Sequence, residues 1–209
     1  MPHPEVSSQH NRTPFVSRWI MAVSSGVLWV EQRAIMGLMY VLVALILLNV
    51  VTRYSGTPLY WVDESAVYSV VWLTFIGASA MTRLHLDFAM TLLTDRLSPR
   101  AVRIAEIIAD FGVVAFALVL GWMCWLWLGP AGLARAGFDA KAFSAQSFNF
   151  VYTERTQTLN WPTWALYLIL PLFSVTMVIH GLANALEDMD LAPRTTFEGF
   201  EMTQADGIN

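Results

Sequence analysis

Charge is what this sequence has least of. Only 13% of its 209 residues are Asp, Glu, Lys or Arg, against about 25% in an ordinary soluble domain. So sparse a supply implies a surface that faces lipid over much of its area. Cysteine is nearly absent as well: Cys124 stands alone, which excludes an internal disulfide, a four-cysteine metal site and two-cysteine redox chemistry. Long basic runs are missing and the net charge is only −4, so nucleic acid is not an expected partner. No phosphate loop, nucleophile–base pair or carboxylate dyad can be recognised. Neither enzymatic activity nor a cofactor or resident metal is therefore expected. No repeat relates the two halves, and with it goes the inverted-repeat signature of a self-sufficient transporter.

Apolar residues make up 56% of the chain. A helix needs about 20 of them in succession to cross the hydrocarbon layer, and four stretches satisfy this: 34–52, 64–82, 104–128 and 163–186. Each run is apolar all round instead of alternating, which points to helices and not to a barrel. The expected fold is all-α, an integral membrane protein with four transmembrane helices. The apolar runs begin near Ala34, too far in for a cleaved secretory signal. Residues 1–13 read as a loose polar tail. Between Phe15 and Arg33, Trp19, Val23, Gly26 and Val30 fall near one face. Residues 14–33 thus read as an amphipathic helix along the interface; the alternative is that they extend the first span inward. The connection 129–162 is long, with one short helix expected around Ala140–Phe148. The segment 187–209 is acidic and expected to be disordered.

Four spans put both termini on one side. That side carries Arg12, Arg18, Arg33, Arg83, Arg96, Arg100, Arg103 and Arg194, and the other Arg53, Arg135, Lys141 and Arg155. The positive-inside rule then places both termini in the cytoplasm of a bacterial inner membrane and the 129–162 connection in the periplasm. Trp61, Trp122, Trp125, Trp127, Trp161 and Trp164 gather at the expected outer ends, as an aromatic belt does.

Polar residues inside a span are costly and so draw the eye. Asn49 and Arg53 lie one turn apart at the end of the first span, and Asp63 and Glu64 open the second from the same side. Arg53 can pair with either acid; anchoring and helix capping compete with a docking surface as the explanation. Gly77, Ala78, Ser79 and Ala80 form a small-residue patch suited to close helix packing. Glu106 and Asp110 share a face of the third span, and His180 and Asn184 a face of the fourth. Asp110 and His180 both lie about 9 Å inside their spans by helix rise. The expectation is that Asp110 meets His180 between these helices, with Glu106 near Asn184. One rival function uses intramembrane histidines: a haem-bearing four-helix anchor of a respiratory complex. His85 and His180 are its only candidates, and their depths differ by roughly 10 Å.

The stretch LNVVTRYSGTPLYWVDESAVYSVVWLTFIGASAMTRLHLDFAMTLLTDRLSP, residues 48–99, resembles the small membrane subunit of tripartite ATP-independent periplasmic (TRAP) transporters. Asn49 and Arg53 match the end of that family's first helix, and Trp61, Asp63 and Glu64 the start of its second. Trp72, Gly77-Ala78, Arg83 and His85 follow in order, and NWPTWALYLILP, with Trp161, Pro162, Tyr167 and Pro171, resembles the start of the fourth. Two departures stand out: the Arg83–His85 spacing is shorter than usual, and Asp87 follows the His too soon. The resemblance implies a three-part system. A periplasmic binding protein captures an organic acid, a large permease subunit holds the substrate and sodium sites, and the small subunit braces the large one.

Overall fold

A computed structural model describes residues 15–85 and 98–195. Four helical stretches among them are long and apolar enough to cross a membrane: Phe15–Tyr54, Tyr60–Arg83, Arg100–Arg135 and Thr163–Asp188. Each contains one of the expected spans. The elements are α1 (Phe15–Tyr54), α2 (Tyr60–Arg83), α3 (Pro99–Leu128), α4 (Pro130–Arg135), α5 (Ala140–Ser147), α6 (Thr163–Tyr167) and α7 (Ile169–Asp188).

Helix α1 is the first departure from expectation. The interfacial helix expected at 14–33 is no separate element, because α1 runs unbroken through 40 residues. At 1.5 Å per residue that is about 60 Å, twice the hydrocarbon thickness. No Gly-Pro step or cap interrupts the sequence near Arg33, and Ser17, Ser24, Leu28 and Glu31 are buried along one stripe. Their burial gives the N-terminal half of α1 a packing partner, as an alternative to lying free.

The remaining boundaries follow local chemistry. Gly56, at φ 74°, lets the chain reverse between α1 and α2. Ser98 caps α3, accepting from the Ala101 N–H, and Pro99 supplies the fixed φ favoured at the first helical position. Gly129 ends α3 in the left-handed conformation, its N–H bonded to the Trp125 carbonyl, and Pro130 starts α4 at once. Asp139 caps α5 through the N–H groups of Lys141 and Ala142. The helix expected near Ala140–Phe148 is therefore present, and α4 precedes it unannounced.

Side-chain contacts fix the directions. Asn49 of α1 meets Asp63 of α2, so these two are antiparallel. Trp72 meets Leu166, Ser79 meets Thr176 and Arg83 meets Asn184, so α2 and α7 run parallel. Gly121 abuts Ser174 and Gly181 abuts Val114, so α3 and α7 are antiparallel. Helix α7 is the hub, touching α1, α2 and α3. The apolar core is Ala117, Phe173 and Met177, with Phe75 edge-on to Phe173 at 5.2 Å. The end bearing residues 55–59 and 129–162 is called the loop end here, and the other the tail end.

The acidic segment expected to be disordered from residue 187 is folded at its start. Glu187 and Asp188 are the last residues of α7, both buried. The chain then folds back, with the Leu191 and Ala192 N–H groups on the Leu186 carbonyl and Ala192 buried. Arginines at this end neutralise the two acids, which removes the self-repulsion on which the disorder reading rested. The tail residues 1–13, Asp87 and the acidic segment beyond residue 195 lie outside the described residues.

Candidate functional site

The polar groups inside the helices form three clusters. At the loop end, the Asn49 amide donates to Asp63, and Arg53 donates to Asn49 Oδ1 at 2.8 Å and to Asp63 Oδ2 at 2.6 Å. Arg53 thus takes Asp63, not Glu64. This pair is half exposed, and exposed pairs contribute ~1 kcal/mol or less. Its effect is to staple α1 to α2 across the short turn. Glu64 serves a different purpose. It accepts from the backbone N–H groups of Gln157, Thr158 and Leu159 at 2.8–3.0 Å and from the Thr158 hydroxyl. Those donors form the tip of a turn closed by the Thr156 N–H on the Trp161 carbonyl, with Asn160 left-handed at φ 55°. The long connection is therefore anchored to α2 by a single carboxylate. Tyr152, outside the spans, packs between Phe143 and Trp164, and burial pushes its hydroxyl pKa upward.

Across mid-bundle, the Trp72 indole N–H donates to the Leu166 carbonyl at 3.0 Å, satisfying a group near the α6–α7 junction. Trp61 is 40% exposed at the loop end, with Trp122 and Trp125 more so. Gly77 departs from expectation, since a Cβ added there would meet nothing within 4 Å. The neighbouring Ser79 and Ala80 are the ones buried, with Ser79 donating to Thr176 at 2.7 Å. Close helix approach occurs instead at Gly121 and Gly181, where an added Cβ would stand 2.8 Å from Ser174 Oγ and from Val114 Cγ2. Neither glycine belongs to a recognisable motif.

The tail end holds the densest network. Arg83 is fully buried and donates to Asn184 Oδ1 at 2.8 Å and to both Glu187 oxygens at 2.7 and 3.2 Å. Asn184 in turn donates to the Thr82 carbonyl, and Thr195 to Glu187. Arg103 bonds the Asp188 carbonyl and pairs with Asp190 at 2.6 Å. Arg194 pairs with Asp188 at 2.9 Å and Glu106 at 3.5 Å. His85 sits just beyond α2, left-handed at φ 52° and exposed, its N–H on the Thr82 carbonyl. It ends a helix.

The expected meeting of Asp110 with His180 does not occur. His180 is wholly buried, with Nδ1 2.8 Å from the Ser24 hydroxyl and Nε2 3.1 Å from Glu31 Oε2, both on α1. Asp110 instead lies beside Asp188. Glu106 reaches Arg194, while Asn184 belongs to Arg83. Matched depth was right but rotation was not: successive helical residues turn by about 100°. Gly181 takes the α3-facing position, with Val113, Val114 and the Asp110 carbonyl around it, and His180 is swung toward α1. Sequence reasoning missed Ser24 and Glu31 because they were read on an interfacial helix. A carboxylate on that helix, 3 and 7 residues from the buried Leu28 and Ser24, was the available signal. A double-mutant cycle should show coupling of about 1–3 kcal/mol between Glu31 and His180, as for residues in contact. Asp110 and His180, which share no hydrogen-bond partner, should be additive within about 0.5 kcal/mol. The reverse pattern would contradict the arrangement.

Both ring nitrogens of His180 are engaged and His85 ends α2, so these two do not form an axial-ligand pair. Among the described residues no group of three His, Cys, Asp or Glu side chains is placed to hold a metal ion.

No curated protein and no solved structure matches this chain. One family model does, over residues 42–191, well beyond half the sequence. It takes in the Asn49–Arg53–Asp63 staple, the Glu64 anchor, Arg83 with Asn184 and Glu187, and His180 itself, but it leaves out residues 15–41 of α1 and with them His180's partners Ser24 and Glu31. The chain belongs to the DctQ component family of the tripartite ATP-independent periplasmic transporters.

Proposed function

We propose that this chain braces a large permease subunit during uptake of an organic acid that a periplasmic binding protein delivers. The observation that carries the reading is the family match over residues 42–191, from the C-terminal part of α1 through α7. The geometry supports it. The intramembrane polar residues are spent on holding helices to one another: Arg83 on Asn184 and Glu187, His180 on Ser24 and Glu31, Trp72 on Leu166. Such internal pairing suits a rigid scaffold. The exposed flanks of α1 and α3, with Met36, Val43, Leu47, Ile108, Phe111 and Leu118, offer apolar area to lipid and to a partner subunit.

Transport is the test. Liposomes holding this chain alone should show no organic-acid uptake, whereas the chain with the large subunit and binding protein should restore it. Uptake by the chain alone would overturn the reading.

The same reading places the loop end, with Asp63 and Glu64, in the periplasm and both termini in the cytoplasm. In a Cys124→Ser background, Tyr60→Cys should react with an impermeant maleimide added to intact spheroplasts. Labelling only after the membrane is opened would reverse the topology.

A further inference from the structure

At the tail end of the α3–α7 contact, two buried carboxylates are left without a donor. Helix α7 presents Gly181 to Val113, Val114 and the Asp110 carbonyl. Asp188 lies about two turns further on, at 3.6 residues per turn, and so returns to the same face. Because the helices are antiparallel, this end of α7 runs past the turns of α3 that precede Asp110. Arg103 bonds the Asp188 carbonyl there, and Arg194 joins Asp188 to Glu106. Helical side chains tilt toward the N-terminus of their own helix, which aims Asp110 down α3 at the Asp188 carboxyl, and the two side chains meet. Asp110 is 8% exposed and Asp188 3%. The Oδ2 atom of each has no hydrogen-bond partner among the described residues. Nearby cations are engaged elsewhere: Arg194 holds Asp188 Oδ1 at 2.9 Å, Arg83 holds Glu187 and Arg103 holds Asp190. Buried polar atoms are nearly always paired, and two carboxylates that share a site cannot both ionise freely. A carboxyl that keeps its proton is a donor as well as an acceptor. One proton between these two acids therefore gives both a partner. A metal ion is the poorer occupant, since hard cations take about six or more oxygens. Among the described residues no trio of His, Cys, Asp or Glu is placed to hold one.

We infer that Asp110 and Asp188 form a proton-binding site that ties α3 to α7, with one proton held between the two carboxyl groups in the folded chain. Loss of that proton puts two negative charges in contact. Glu106 and Glu187 add to the repulsion, and Arg194, already shared with Glu106, is the cation left to offset it. His180 and Glu31 take no part, because they face each other on the α1 side of α7. The site is thus a pH-responsive latch at the tail end, closed while the proton is bound.

Proton release on unfolding tests it. An exposed carboxylate is ionised at neutral pH, so the retained proton leaves when the chain unfolds. The folded state binds more protons than the unfolded one, and stability falls as pH rises. The purified full chain, unfolded in weakly buffered mixed micelles with a pH indicator, should release about one proton more than Asp110→Asn, whose amide imitates the protonated carboxyl. Over the same pH range the unfolding constant of the wild type should rise about tenfold more per pH unit than that of the variant, the slope of one linked proton. Should Asp110→Asn fail to insert, Asp188→Asn removes the same proton and should show the same difference. Equal release by the wild type and the variants would overturn the site. So would recovery of wild-type stability at alkaline pH by sodium chloride but not by choline chloride at equal ionic strength, which would make the occupant a metal ion.

Discussion

Replacing Glu187 with Leu is expected to cost the bundle about 3–5 kcal/mol, the penalty typical of removing one side of a buried ion pair. Arg83 is only 1% exposed, and Glu187 meets its guanidinium with both carboxylate oxygens. Replacing Glu187 takes away the carboxylate that meets both terminal guanidinium nitrogens, while the neutral Asn184 amide at 2.8 Å and Thr195 hydroxyl at 3.4 Å stay beside the charge. Thr195 also loses an acceptor, because its N–H and hydroxyl both bond Glu187. The segment after α7 should therefore loosen as the helices do. The double variant Arg83→Met with Glu187→Leu should recover most of the loss, since a buried pair exchanged for apolar residues of similar volume is often near neutral. Unfolding of the purified chain in mixed micelles reads both. If single and double variants lose the same stability, packing and not charge governs this end of the bundle.

Gly181→Val should destabilise the α3–α7 interface by about 1–3 kcal/mol, the usual range for overpacking a fitted contact. A Cβ at this position stands 2.8 Å from Val114 Cγ2, 3.4 Å from Val113 Cγ1 and 3.7 Å from the Asp110 carbonyl. Both valines are β-branched and stiff about χ1, so they yield only if the helices separate. Gly77→Ala is the informative contrast. Its Cβ would enter open space, and replacing a mid-helix glycine by alanine favours the helix by up to about 1 kcal/mol. The two substitutions should thus move stability in opposite directions in the same unfolding assay. Two losses of similar size would show that Gly77 also sits at a close approach.

How much of this was legible beforehand depends on the range of the interaction concerned. Hydropathy over twenty residues is a local property, and all four spans were visible in it. Helix caps are local too, and the short helix expected around Ala140–Phe148 starts at the Asp139 cap. The Arg53–Asp63 staple needed only a five-residue turn to bring its members together, and its ingredients could be read in order. The site residues further apart were less legible. Asp110 and His180 share a depth, which helix rise gives directly, yet face different neighbours, which it does not.

By itself the sequence determined the class of molecule: too few charges for a water-covered surface, four helical spans and a motif order shared with a transporter subunit. Tertiary structure alone decided which faces meet. Helix rotation is set by the sum of many weak contacts along an interface, and no single residue announces it. Gly181 lets α3 approach α7, and that approach turns His180 away from Asp110 and toward Ser24 and Glu31. The same packing draws α1 into one continuous 40-residue helix and converts Glu187 from a tail residue into the buried partner of Arg83. A buried charge is tolerated only where its counter-charge is delivered to it, and Glu187 is 104 residues away along the chain.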